Sequence, residues 1–203
     1  MGNNGRSQPL HPTRIDLPVD VRTQVVNTLN ATLACTLDLK TQVKQAHWNV
    51  KGMDFYQLHE LFDEMASELE EYIDMVAERV TTLGGTALGT ARIAASQSTL
   101  PEYPIAILEG KEHVTALADR FAAYGKLLRD GIASTDDLDD ADTADLYTEI
   151  SRAIDKRLWF LEAHLQASVV APTEVAIAAN GDGVAPSNGV EPTKTKKTAK
   201  RSK

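Results

Sequence analysis

The sequence predicts an all-α domain built as a four-helix bundle, followed by a polar tail. Apolar residues recur at helical spacing over four long segments. Aromatic residues make up only 5% of the chain, whereas the helix formers Ala, Leu and Glu are abundant. The 203 residues are enough for one domain with a full hydrophobic core.

The N-terminal region is expected to hold a mobile arm and the first helix. Residues 1–17 are polar, so we expect them to form the arm. Pro18 suits the first turn of a helix, because the missing N–H is not needed there. Apolar residues at helical spacing predict that this first helix covers residues 18–49. Within it, Cys35 lies among apolar residues and is expected to be a small core side chain.

A second helix is predicted over residues 55–82. Asp54 precedes it and Gln57 follows three positions later, which is the pattern of a capping box. The helix is expected to end at Gly84-Gly85, because glycine adopts the left-handed conformation that closes helices.

The second half of the chain predicts two further long helices. Residues 86–108 contain two prolines and are predicted to form a connection that includes at most a short helix. The third helix is predicted over 109–131, an acidic turn over 132–141, and the fourth helix over 142–169. The long middle connection suits a bundle whose second and third helices lie parallel, joined by a crossover on the outside.

The bundle domain is predicted to span residues 18–170, and residues 171–203 are predicted to be a disordered tail. The tail has no periodic apolar pattern and is rich in small and polar residues. The formal net charge of −8 combines +6 within the last eleven residues and −14 on the remainder. An acidic body with a basic tail indicates two classes of partner, cations and polyanions. The basic residues of the tail are Lys194, Lys196, Lys197, Lys200, Arg201 and Lys203.

Five side chains are suited to bind a metal ion: His47, His59, Asp63, Asp74 and Glu78. The last four project from the second helix at roughly 0°, 40°, 60° and 100°, so they form one stripe. Along the helix axis, however, His59 and Asp74 are separated by about 22 Å at ~1.5 Å per residue. One subunit therefore cannot bring all of them to one metal centre.

The positions of these residues predict a twofold interface. The position numbers of His59 and Glu78 have the same sum as those of Asp63 and Asp74, so both pairs are centred on the midpoint between residues 68 and 69. Two copies of the helix packed antiparallel about this midpoint would form two equivalent sites. His47 lies just upstream and can complete each site.

The ligand types indicate which metals could bind. Imidazole and carboxylate without thiolate suit Fe(II), Mn or Zn. The alternative interpretation is that the charged stripe is only a solvated helix face.

The segment HWNVKGMDFYQLHELFDEMASELEEYIDMVAER, residues 47–79, resembles the Dps family, the DNA-binding proteins from starved cells or miniferritins. Residues 142–145 and 155–162 resemble the fourth helix of that family, and the resemblance covers roughly residues 18–168. The matching positions of the first segment are His47-Trp48-Asn49, His59-Glu60, Asp63, Asp74 and Ala77-Glu78-Arg79.

The resemblance implies a ferritin-like four-helix bundle that assembles into a hollow homododecamer with ferroxidase centres between subunits. Glu78 would bridge two irons, and Trp48 would lie close enough to intercept stray oxidising equivalents. Zn or Mn can substitute for iron at such ligands. The ligands would be His47, His59 and Asp63 from one subunit, with Asp74 and Glu78 from its twofold partner.

The resemblance also implies a function. We expect oxidation of Fe(II), preferably by H2O2, and storage of the ferric mineral. Three carboxylates near the fourth helix are expected to form a threefold pore for iron uptake: Asp136, Asp142 and Asp145. Asp142 alternatively caps the fourth helix, and Asp145 alternatively complements the positive end of that helix. The basic tail is expected to bind DNA without reading its sequence, or else to serve only as a solubilising segment.

The sequence is also compatible with two other functions. Other four-helix di-iron proteins carry Glu-x-x-His motifs within one bundle, and the sequence contains none. A protein of a different class, a nucleoid-packing scaffold with a structural metal site and little catalysis, would also account for the tail. No apolar run is long enough to cross a membrane and no signal peptide is recognisable, so we expect no membrane partner and a cytoplasmic protein. The DNA binding expected of the tail would associate the protein with the nucleoid.

Overall fold

The computed structural model describes residues 9–166, which contain four long helices and one short one. Helices α1, α2, α4 and α5 form the bundle, in which α1 packs against α2 and α4, and α5 packs against α4 and α2. The short α3 lies in the crossover and packs against α1. Thus the predicted all-α bundle with a crossover is confirmed. The helices are α1 Val19–Asn49, α2 Phe55–Thr82, α3 Ala91–Gln97, α4 Gly110–Asp136 and α5 Ala141–Gln166.

No helix in the described part of the chain is long and apolar enough to span a membrane.

Two buried tyrosines fix α1 against α4 and α5. The hydroxyl of Tyr147 lies 2.9 Å from Thr32 Oγ1, and that of Tyr124 lies 2.7 Å from Thr36 Oγ1. Each threonine hydroxyl already donates to a carbonyl oxygen of α1, so each tyrosine is the donor to its threonine. Burial raises the pKa of Tyr147 to about 12. These polar groups in the core are therefore satisfied and neutral.

Residues 10–17, which precede α1, lie against the bundle, contrary to the expectation that the mobile arm covers all of residues 1–17. His11 N–H donates to the carbonyl oxygen of Gly84 at 2.7 Å. The side chains of Leu10, Ile15 and Leu17 pack against the core, which explains why this part of the chain is held. Gly84 has φ 85°, the left-handed conformation predicted for the end of α2.

The capping box predicted at the start of α2 is wrong. Asp54 occupies the N-cap position, but its side chain accepts no capping hydrogen bond. Its φ of −96° and ψ of 18° are not the extended values that N-cap residues usually adopt. A contact of this kind occurs instead at α4, where the carboxylate of Glu112 accepts from the backbone N–H of Glu109 at 3.1 Å.

Helix α4 continues to Asp136, five residues beyond its predicted end, so only residues 137–140 form the turn. The helix continues because Thr135 is fully buried and its hydroxyl donates to the carbonyl oxygen of Gly131 at 2.9 Å. The acidic composition of the segment marks a solvated helix end rather than a long turn. Helix α5 begins at Ala141, one residue before its predicted start.

Candidate metal centre

His47 of α1 and His59 of α2 stack on each other with ring centroids 3.7 Å apart. His47 Nδ1 lies 2.8 Å from the carbonyl oxygen of His59, and His59 Nδ1 lies 2.9 Å from the carbonyl oxygen of His47. A carbonyl oxygen only accepts hydrogen bonds, so each Nδ1 must carry its hydrogen and donate. In the neutral imidazole, Nε2 then keeps a lone pair and is the atom available to a metal ion.

The end of α1 explains why these two histidines meet. Residue 47 lies in the last turn of α1, where carbonyl oxygens lack a partner within the helix. The Nδ1–H of His59 satisfies one of them. The buried residues Val50 and Leu58 hold the short connection to α2 in the core, and the ring of Phe55 lies 5.2 Å from that of His59. Local backbone requirements thus orient both imidazoles.

Asp63 is the third predicted ligand that this end of the bundle brings near. Its Oδ1 lies 3.9 Å from His47 Nε2 and 2.6 Å from the ammonium of Lys44. The hydrogen bond from Lys44 lowers the pKa of Asp63 below its usual value. Lys44 also lies 5.7 Å from the ring centroid of Trp48, whose side chain is 63% exposed in the single chain.

Sequence reasoning missed the role of Lys44. It precedes His47 by three positions on the same helix, so both side chains lie on one face of α1. That spacing was the sequence signal that Lys44 would lie close to the predicted ligand His47.

Asp74 and Glu78 lie apart from the other three predicted ligands in the single chain. Both are exposed on α2, which continues without interruption from Phe55 to Thr82. The distance of about 22 Å between His59 and Asp74 therefore holds for the folded protein. Among residues 9–166 of one chain, no group of three or more His, Cys, Asp or Glu side chains is arranged to hold a metal ion.

Arg79, which follows Glu78, connects this end of α2 to the start of α5 through hydrogen bonds. Its guanidinium donates to Thr143 Oγ1 at 2.8 Å and to Asp140 Oδ1 at 2.7 Å. Asp140 is 2% exposed and also accepts from the backbone N–H of Thr143 at 3.1 Å. Asp140 is thus the residue that caps α5, a role that was missed because the helix was predicted to begin at residue 142 rather than directly after Asp140.

The predicted pore residues lie at the α4–α5 turn. Asp136 is the last residue of α4, and Asp142 and Asp145 lie in the first turns of α5; all three are exposed. Because Asp140 makes the capping hydrogen bond, the alternative assignment of that role to Asp142 is wrong. The side chain of Asp142 is 87% exposed, with Oδ2 3.9 Å from Arg79 Nη1. The basic residues of the tail, from Lys194 to Lys203, lie outside the described residues.

Known proteins are similar to this chain in fold and in sequence. The ferritin-like domain family matches residues 26–168. The DNA protection during starvation protein of Agrobacterium fabrum is 43% identical over 156 residues, which are 77% of this chain and 96% of that protein. DpsC from Streptomyces coelicolor superposes with a TM-score of 0.74 at 36% identity, covering 77% of this chain and 91% of that chain.

A Dps protein from Vibrio cholerae O1, described as a member of a broad superfamily of ferritin-like diiron-carboxylate proteins, is also similar. It superposes with a TM-score of 0.72 at 25% identity and covers 78% of this chain and 99% of that chain. Together with the family match over residues 26–168, these similarities show that the chain belongs to the Dps family of ferritin-like proteins.

Proposed function

We propose that this protein is an iron-storage and detoxification ferroxidase that oxidises Fe(II) at sites shared between twofold-related subunits. The observation that carries the proposal is the pair of stacked imidazoles. Each Nδ1 is engaged by a backbone carbonyl, which leaves each Nε2 for a metal, and a carboxylate lies beside them. The remaining two carboxylates on the same helix are too distant to join them within one subunit.

The twofold arrangement supplies the missing ligands. Antiparallel packing of two α2 helices about the midpoint between residues 68 and 69 would place the partner's Glu78 beside His59. It would likewise place the partner's Asp74 beside Asp63, with two equivalent sites per dimer. Each site would then hold two imidazoles and three carboxylates, a ligand set that suits Fe(II), with Zn or Mn as substitutes.

The reaction follows from holding two Fe(II) ions side by side as substrates. Each Fe(II) gives one electron to the same H2O2, the O–O bond breaks, and two protons are taken up to release two waters. This route avoids the one-electron reaction that releases hydroxyl radical. Glu78 is the proposed bridge between the two ions. Trp48, which lies next to the Lys44–Asp63 pair, is the proposed trap for stray oxidising equivalents.

The wider function joins storage to DNA protection. We propose a hollow dodecamer in the cytoplasm, with Fe(II) admitted through carboxylate pores and ferric mineral held inside. The preference for H2O2 over O2 is the one implied by family membership. A tail with six basic residues and no acidic ones in its last eleven positions would bind DNA phosphates without reading sequence, and many copies per particle would add avidity.

The ligand assignment predicts a large loss of activity in the double variant His59→Ala/Asp74→Ala. Removing one ligand from each half of the site should slow peroxide-dependent oxidation of Fe(II) roughly 100-fold or more, since even groups supporting a ligand contribute about 10–100-fold. The measurement is stopped-flow absorbance of the ferric product after mixing apo-protein, Fe(II) and H2O2.

The matched control is His164→Ala, an exposed histidine of α5 whose Nδ1 contacts the carbonyl oxygen of Phe160. It should oxidise iron like the parent. Parent-like rates in the double variant would refute the ligand assignment. Stoichiometric metal binding by the parent without catalysed oxidation would instead favour the scaffold function.

The pore assignment predicts that Asp145→Asn slows iron uptake several-fold, because a ring of carboxylates concentrates cations at its mouth. Assembly should be unchanged by light scattering, and the difference should shrink at high salt. Asp119→Asn, an exposed acid in the middle of α4, is the control and should have no effect. An unchanged uptake rate in Asp145→Asn at low salt would rule out the pore role of this residue.

The tail assignment predicts that a chain ending at residue 170 no longer retards DNA in a gel at low salt. The full-length protein should retard it, and its affinity should fall steeply as salt increases, because bound Lys and Arg release counterions from the phosphates. Retention of DNA binding by the truncated chain, with the same salt dependence, would show that the tail is not the binding element.

A further inference from the structure

A second ion pair lies on the same face of α2 as the candidate ligands. The ammonium of Lys40, on α1, contacts the carboxylate of Glu70, on α2. The two side chains are 32% and 61% exposed in the single chain. The pair borders an open groove between the two helices, which also includes Lys44, Asp63 and Ser67.

The position of this pair coincides with the proposed twofold axis. Ser67 and Glu70 lie symmetrically on either side of the midpoint between residues 68 and 69. They project at roughly 80° and 20° on the scale that places His59 at 0° and Glu78 at 100°, so they lie within the ligand stripe. An antiparallel partner would therefore bring its Glu70 next to Ser67, and the two Lys40–Glu70 pairs would meet.

The charges on this face require compensation when two copies meet. The stripe carries the acidic residues Glu60, Asp63, Glu70, Asp74 and Glu78, and a twofold interface would double them at short distance. Like charges brought together at an interface cost several kcal/mol. Within residues 9–166, Lys40 contacts the stripe at Glu70 and Lys44 contacts it at Asp63.

We propose that Lys40 and Glu70 from two copies of the chain form a four-charge cluster on the twofold axis, and that this cluster sets the register of the dimer that completes the metal site. The inference rests on the shared site proposed above. It assigns the partner, a second copy of this chain, and the residues that align it. An isolated exposed ion pair contributes little, but a cluster removed from water at an interface contributes more.

Ser67 fits the proposed arrangement. Its hydroxyl donates to the carbonyl oxygen of Asp63 at 3.0 Å, so the side chain folds back against its own helix. A small side chain held in this way leaves room at the axis for the partner's Glu70. The neighbouring Ala66 is also small, and it borders the same groove.

Charge reversal tests the cluster. Lys40→Glu would place four acidic side chains at the axis, and Glu70→Lys would place four basic ones. Each single variant should weaken self-association about tenfold or more, because every 1.4 kcal/mol of repulsion is a factor of ten. The double variant Lys40→Glu/Glu70→Lys restores both pairs with reversed polarity and should recover to within about threefold of the parent. The measurement is sedimentation velocity over a dilution series.

The matched controls are the single variants Lys126→Glu and Asp130→Lys and the double variant that combines them. That ion pair is 72% and 64% exposed on α4, away from the stripe, and its changes should leave assembly unaltered. Circular dichroism shows whether a charge reversal disturbs folding. If it does, Glu70→Gln, a neutral substitution of nearly the same shape, tests the role of Glu70 in its place. It should weaken association by less than Lys40→Glu does.

Parent-like assembly of Lys40→Glu and Glu70→Gln would overturn the proposal, as would a double variant that folds but associates no better than the single ones. Iron oxidation by the parent separates the two proposals. A parent that oxidises Fe(II) while these variants assemble normally refutes the axial cluster alone. A parent that dimerises through this pair but does not oxidise iron refutes the ferroxidase alone.

Discussion

The length of α2 is the constraint on which the account of the site depends. A helix of 28 residues without a break holds its side chains at fixed heights, so ligands 15 positions apart are separated by about 22 Å whatever the rest of the fold does. His59 and Asp74 can share a metal only if a second α2 runs past the first in the opposite direction. The bundle core, which buries the opposite face of α2, leaves the ligand face open for that partner.

The histidine half of the proposed site arises from the way α1 ends. A helix end exposes carbonyl oxygens that need donors, and here one of those donors is the Nδ1–H of His59. The same hydrogen bond selects the tautomer that leaves Nε2 for metal. Lys44 then balances the charge of Asp63, and Arg79 fastens the other end of α2 to α5 through Asp140. The two imidazoles and Asp63 are therefore oriented by ordinary requirements of folding.

The sequence was sufficient for the parts of the structure that follow from periodicity. The four long helices and the incompatible heights of His59 and Asp74 were predictable, because apolar spacing and helical rise determine them. The end of α4 was not, since it depends on the burial of Thr135 in the folded bundle. The packing of Leu10 against the core was missed for the same reason, since that contact joins residues that no local pattern connects. The cap of α5 is a local contact, because Asp140 accepts from the backbone N–H of Thr143. It was missed because the predicted start of the helix lay one residue too late.

The most direct test of the shared site is complementation between two inactive variants, His59→Ala and Asp74→Ala. Each alone lacks a ligand in both sites of its dimer, whereas a mixed dimer contains one intact site and one that lacks both ligands. Coexpression of the two variants should therefore restore Fe(II) oxidation to about a quarter of the parent rate under random pairing. Coexpressed protein no more active than the two variants purified separately would show that each site belongs to a single subunit.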